Sequence, residues 1–307
     1  MQPVIETEKL SRRFGPVCAV ESVDLHTEPG AVYAFLGANG AGKTTTIRML
    51  LGLIRPDAGA VRLFGEPFRR SALARVGSLV ESPSLYPHLT GRENLEVIRR
   101  MVGGSTSDIA RALDSVRLSD AADRLVSGYS LGMRQRLGLG LALFGAPDLL
   151  VLDEPTNGLD PAGIREVREL VAALPAERGI TVFLSSHLLA EVENVATHVG
   201  IIDRGRMLFE GPLASLQART QSRLEIRTER ADDAARALRS AEIPADRHNG
   251  DGIVVSGADA ETAARANALL VARGFAVYQL HLRAPSLEEI FLAVTSKKRE
   301  NETCAAF

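Results

Sequence analysis

The run Gly37-Ala38-Asn39-Gly40-Ala41-Gly42-Lys43-Thr44 constrains this chain more than any other, because it fits G-x4-G-K-[ST], a pattern that cradles phosphate. The apolar residues Ala31 to Leu36 before it read as a buried strand, and the glycines let backbone N–H groups turn inward around an anion with no Cβ in the way. A helix opening near Gly42 points its positive end at the same place. Lys43 is placed to reach the outer phosphates and Thr44 to offer a hydroxyl to magnesium, while Asn39, Ala41 and Thr45 complete the expected contacts to a nucleoside triphosphate.

A second feature strengthens the first. Leu149 to Leu152 is an apolar strand that ends in Asp153-Glu154. An acid at a sheet end can hold magnesium through water, and a second acid one residue on can polarise the water that attacks a γ-phosphate. Asp153 is therefore expected as a metal group and Glu154 as the catalytic base.

Composition excludes more than it assigns. With 307 residues, 45% of them hydrophobic and 24% charged, the chain can bury a full core and is expected to hold one large and one small domain. A net charge of −2 gives no electrostatic footprint for nucleic acid. Cys18 and Cys304 have no metal-binding spacing and suit a reducing cytoplasm. No signal-peptide pattern opens the chain, and its longest apolar stretch, Leu137 to Ala146, is about half of what a spanning helix needs, so no membrane span is expected. Arginine outnumbers lysine heavily, as in proteins from GC-rich bacterial genomes, and in that setting the prenylation-like ending Cys304-Ala305-Ala306-Phe307 reads as coincidence.

Residues 1–218 alternate strand and helix patterns, predicting an α/β domain with a largely parallel sheet. The expected strands are Val4 to Lys9, Val17 to Thr27, Val32 to Leu36, Gly77 to Val80, Leu149 to Leu152, Thr181 to Leu184, Val199 to Asp203 and Arg206 to Glu210. Thr90-Gly91-Arg92-Glu93 is a capping box, Asp160-Pro161 opens another helix, and Asp108 to Leu125 follows a helical period. Residues of about 90–145 therefore read as a helical subdomain inserted into the sheet. From 219 to 296 the order βαββαβ plus a final helix predicts a small α+β, ferredoxin-like domain with a hairpin turn at Asn249-Gly250, and 297–307 reads as a frayed, disordered tail.

Across about residues 3–218 the chain resembles the nucleotide-binding subunit of an ABC transporter, with six motifs in family order. The resemblance implies a P-loop ATPase fold, a head-to-tail pair of subunits with ATP and magnesium between them, a separate membrane permease, and a place on the inner face of the cell membrane. It implies that Phe14 stacks on adenine and that His187, in Ser185-Ser186-His187, contacts the γ-phosphate. It implies that Tyr129-Ser130-Leu131-Gly132-Met133 is the signature, with Ser130, Gly132 and Met133 gripping phosphate across the pair, and that Pro155 to Asp160 is the loop that speaks to the opposite subunit.

Two positions depart from the family pattern: Leu131 and Met133 stand for a glycine and a glutamine in the signature, and Glu81 stands where a glutamine usually touches magnesium and senses the permease. Glu81 with the following Ser82 to Gly91 is similar to subunits that export lantibiotics and related peptide antibiotics of the bacitracin type for self-protection. Pro285-Ser286-Leu287-Glu288-Glu289-Ile290-Phe291 resembles the last helix of antibiotic-resistance exporters. The expected activity is ATP hydrolysis coupled to export. The alternatives are a soluble nucleotide switch of translation or repair and a non-hydrolysing regulatory module; intact Lys43, Asp153, Glu154 and His187 speak against the second.

Overall fold

The computed structural model describes residues 2–218, 222–248, 250–283 and 286–292. The chain divides into two compact units, residues 1–213 and 214–307. The boundary falls a little earlier than the expected 218, because all but the first residue of the short helix that begins at Leu213 groups with the second unit.

The first unit carries β1 (Ile5–Phe14), β2 (Val17–Thr27), β3 (Val32–Leu36), α1 (Lys43–Leu50), β4 (Ala58–Leu63), β5 (Glu66–Pro67), β6 (Val76–Leu79), α2 (Gly91–Val102), α3 (Thr106–Ser115), α4 (Leu131–Ala142), β7 (Leu149–Asp153), α5 (Pro161–Arg178), β8 (Thr181–Ser186), α6 (Leu189–Val192), β9 (His198–Asp203) and β10 (Arg206–Pro212). A six-stranded sheet runs in the order β10-β9-β3-β8-β7-β6, parallel throughout except for β10 at its edge. Every residue of β3, β7 and β8 is buried, as a central parallel sheet covered on both faces requires. Tyr33 stacks on Phe183 with ring centroids 5.2 Å apart, and Phe35, Ile47, Met49, Leu149 and Val151 extend the same core.

A separate antiparallel sheet, in the order β2-β1-β4-β5, was not expected from the sequence. Strand β4 opens with the small, exposed residues Ala58, Gly59 and Ala60, which show no apolar alternation. Strand β1 runs on to Phe14 rather than stopping at Lys9, because register shifts along its pairing with β2 absorb Lys9 at φ +47° and Ser22 at φ +51°.

The helical subdomain is present. Thr90 and Glu93 form the expected capping box on α2, and Ser105 and Asp108 form another on α3. The helical run predicted from Asp108 to Leu125 instead ends at Ser115: Arg117 turns to φ +54°, and a short 3₁₀ turn follows at Ser119–Ala121. Helix α4 seats directly on β6, where a Cβ at Gly77 would lie 1.9 Å from the Ala142 carbonyl oxygen. Only glycine lets the two backbones meet there.

The second unit holds α7 (Leu213–Ala218, which spans the boundary), β11 (Arg223–Thr228), α8 (Ala231–Arg239), β12 (Ala245–His248), β13 (Gly252–Ser256), α9 (Ala260–Ala272) and β14 (Val277–Arg283). Its sheet is antiparallel throughout, in the order β12-β13-β11-β14. Leu224, Ile226, Ala234, Leu238, Ile253 and Leu270 form a core of its own. Residues 287–292 are helical, the described part of the helix expected from Ser286 to Val294. Asn249 of the expected turn, Pro285, and the tail with Cys304 lie outside the described residues.

Candidate nucleotide site

Three adjacent strand ends build the site. Strand β3 runs into the phosphate loop, β7 into Asp153-Glu154 and β8 into Ser185-Ser186-His187, with Leu36 beside Ser186 and Asp153 beside Ser185. In open parallel sheets the carboxyl ends of the strands are where ligands bind.

Gly42 caps α1 at φ 110°, and a Cβ there would lie 2.5 Å from the Ala19 carbonyl oxygen. Ala38, Asn39 and Gly40 are exposed at the rim of the loop. Lys43 is only 6% exposed, so its ammonium needs partners. It donates to the Gly37 carbonyl at 2.7 Å and the Ala38 carbonyl at 3.3 Å, and pairs with Glu154 Oε1 at 3.1 Å. Thr44 and Thr45 follow on the first turn of α1, both half-buried.

Asp153 is 2% exposed, and its Oδ1 accepts a hydrogen bond from the Ser185 hydroxyl at 2.6 Å. The same hydroxyl accepts from the Glu154 N–H at 2.9 Å. Glu154 itself sits at φ +49°, a left-handed turn at the strand end that points its side chain back over the loop. Its second oxygen accepts from Nδ1 of His187 at 2.6 Å. That bond leaves Nε2 of the imidazole for another partner.

A cleft of about 640 Å³ gathers Thr44, Glu81, Gln135, Asp153, Glu154 and Asn157. Glu81, exposed and at φ +61°, forms an ion pair with Arg48 of α1. The structure thus brings together Lys43, Thr44, Glu81, Asp153, Glu154 and His187.

The other expected residues stand apart. Phe14 lies at the end of β1, 47% exposed, with the Arg12 guanidinium 4.9 Å from its ring centroid. Ser130 caps α4 by accepting from the Met133 N–H at 3.2 Å, and Gly132 lies beside Leu159. Asp160 caps α5 by accepting from the Gly163 N–H at 2.8 Å. Two groups were missed by sequence reasoning. One is Ser185, which ties the acid pair together. The other is Gln135, buried in α4, which donates to the Pro155 carbonyl at 2.9 Å and joins the signature helix to the acid-bearing loop. Its position two residues after the signature was the available signal.

A phosphate loop at one strand end, with an acid pair and a histidine on the next two, defines a P-loop nucleoside triphosphatase. The ABC transporter family model matches residues 20–157. The chain is 41% identical over 300 residues to the bacitracin transport ATP-binding protein BcrA of Bacillus licheniformis, covering 95% of this chain and 97% of that protein. It is 40% identical over 207 residues to the lantibiotic transport ATP-binding protein SrtF of Streptococcus pyogenes, covering 67% of this chain and 90% of that one. The fold matches cbiO1 from Clostridium perfringens, part of the ABC transporter complex cbiONQ, with a TM-score of 0.65 over 71% of this chain and 92% of that one at 23% identity. The chain belongs to the ATP-binding subunits of ABC transporters, and it is an ATPase coupled to transport. Among the described residues no helix is long and apolar enough to cross a membrane.

Proposed function

We propose that this subunit powers export of a peptide antibiotic of the bacitracin or lantibiotic kind, working as a homodimer beneath a membrane permease on the cytoplasmic face and conferring self-resistance. The observation that carries the reading is the 41% identity along nearly the whole length of a bacitracin transport subunit.

Magnesium fits the site. Among the described residues no three His, Cys, Asp or Glu side chains form a cage of their own, and magnesium is usually bound by one or two protein oxygens together with phosphates and water. The Thr44 hydroxyl and the Asp153 and Glu81 carboxylates are hard oxygen donors that share one cleft. Bound there with ATP, the ion would neutralise charge on the phosphate oxygens.

The residues of the chain then divide the work. The backbone of the loop and Lys43 hold the phosphates, and Glu154 takes the proton of the attacking water as its oxygen bonds to Pγ and the bond to the ADP oxygen breaks. His187 is oriented through Nδ1 by Glu154, and as an imidazolium it would donate its Nε2–H to a γ-phosphate oxygen. Phe14 carries the base on a half-exposed ring. Ser130, Gly132 and Met133, at a helix N-terminus, serve the nucleotide of the opposite subunit, with Asp160 beside that interface.

A groove of about 1130 Å³ between β6 and the helical subdomain, lined by Val80, Ser84, Ile98, Val102 and Phe144, suits a cytoplasmic helix of the permease. Ser82 and Pro83 line both this groove and the nucleotide cleft, giving the two a common wall. The test is a deletion strain complemented with the wild-type gene or with Glu154→Gln, challenged with bacitracin, a lantibiotic and an unrelated hydrophobic drug. Loss of tolerance to a peptide antibiotic, restored only by the wild type, is expected. Unchanged tolerance to both peptide classes would refute the assignment.

A further inference from the structure

Arg48 has no part in the roles above, yet it holds the residue on which this chain departs from its family. Thr44 and Arg48 lie four residues apart on α1 and so share one face of the helix, and Thr44 lines the cleft that also holds Glu81, Asp153 and Glu154. Glu81 follows β6 at a left-handed backbone angle and meets Arg48 as its ion-pair partner. One carboxylate is therefore offered two cations: a permanently charged guanidinium one turn up the helix, and a metal beside Thr44 and Asp153. An exposed pair of this kind biases an equilibrium by at most about fivefold, so a divalent ion with its phosphates can displace it. The segment that would move with Glu81 begins with Ser82 and Pro83, the shared wall of cleft and groove.

We propose that Arg48 is a positioning residue that withholds Glu81 from the metal, so that Glu81 changes partner when magnesium and ATP bind and shifts the Ser82-Pro83 wall of the permease groove. This rests on the reading of Glu81 as a metal-facing group. The experiment measures binding of a fluorescent N-methylanthraniloyl ATP to the full chain, in magnesium and in EDTA, for wild type, Arg48→Gln, Glu81→Gln and the double variant.

Arg48→Gln is expected to tighten binding in magnesium by about two- to fivefold, to leave binding in EDTA within about twofold, and to have no effect once Glu81 is Gln. Arg48→Lys keeps a cation on the same stem and is expected to stay near wild type, separating lost charge from a damaged fold. A magnesium-to-EDTA affinity ratio unchanged by Glu81→Gln would refute the metal-facing reading, and the proposal with it. A ratio that Glu81→Gln lowers but Arg48→Gln leaves alone would overturn the role of Arg48 only. So would weaker magnesium-dependent binding in Arg48→Gln, which would mean that Arg48 presents Glu81 to the metal.

Discussion

Replacing Glu154 by glutamine separates chemistry from binding. The amide keeps the length and one oxygen acceptor of the carboxylate but cannot take a proton from water, and loss of a general base costs about 10²- to 10⁴-fold, or about 3–5 kcal/mol of barrier. The binding side has the opposite sign. Lys43 gives up a partner at 3.1 Å and retains the Gly37 and Ala38 carbonyls, so its ammonium is freer to meet phosphate. The pair is largely buried, Lys43 at 6% and Glu154 at 19% exposed, so the unpaired ammonium is left to the phosphates and ATP affinity should hold or rise. Phosphate release and nucleotide binding measured on one preparation give both numbers, and sedimentation with ATP against ADP shows whether the stalled variant stays paired. Turnover within about threefold of wild type would refute the base assignment. Binding weakened about tenfold would show instead that Glu154 holds the loop in shape through Lys43.

Gly42→Ala forces a Cβ against the Ala19 carbonyl at φ 110°, and should cost about 1–3 kcal/mol in urea unfolding while lowering ATP affinity; an unchanged midpoint would show that the loop relaxes freely. A chain ending at Ala218 should fold and bind nucleotide, since Phe35, Ile47 and Phe183 belong to one core and Leu224, Ile226 and Leu238 to another; loss of binding on size-exclusion-pure material would count against separate cores. Glu210 is exposed as a residue, yet desolvation of its carboxyl raises its pKa against the bonds it accepts from the Tyr33 hydroxyl at 3.0 Å and the His26 N–H. Its penalty is absent below the ordinary carboxyl range and grows as pH rises through the raised folded value. Glu210→Gln should therefore stabilise the fold at neutral pH and not at pH 4; urea midpoints measured at both values decide the point.

Chemistry that lies along the chain was legible in the sequence, and contacts made across it were not. The phosphate loop, the β7 acids and the capping box at Thr90 are contiguous patterns whose physics is local. Strand β3 was placed residue for residue because buried parallel strands are continuous apolar runs, whereas β8 was stopped two residues short because Ser185 and Ser186 break its run. Strand β4 escaped because Ala58-Gly59-Ala60 has no side-chain alternation to detect, and it is held by backbone pairing to β1. Ser185 read only as part of a motif leading to His187. Its bonds to Asp153 and Glu154 span about thirty residues of sequence and exist only because β7 and β8 are neighbours. Likewise, nothing local to Glu81 signals Arg48, thirty-three residues earlier.

The single hydroxyl of Ser185 spends its proton on one acid and its lone pair on the backbone of the next. The aim of both carboxylates is thus stored on a strand to which neither belongs. An alanine there would orphan a half-buried amide and loosen Asp153 while leaving the apolar core whole, so the chain would keep its shape and lose its timing. Inherited change along β8 would therefore be filtered first by misfired turnover, long before it was filtered by unfolding.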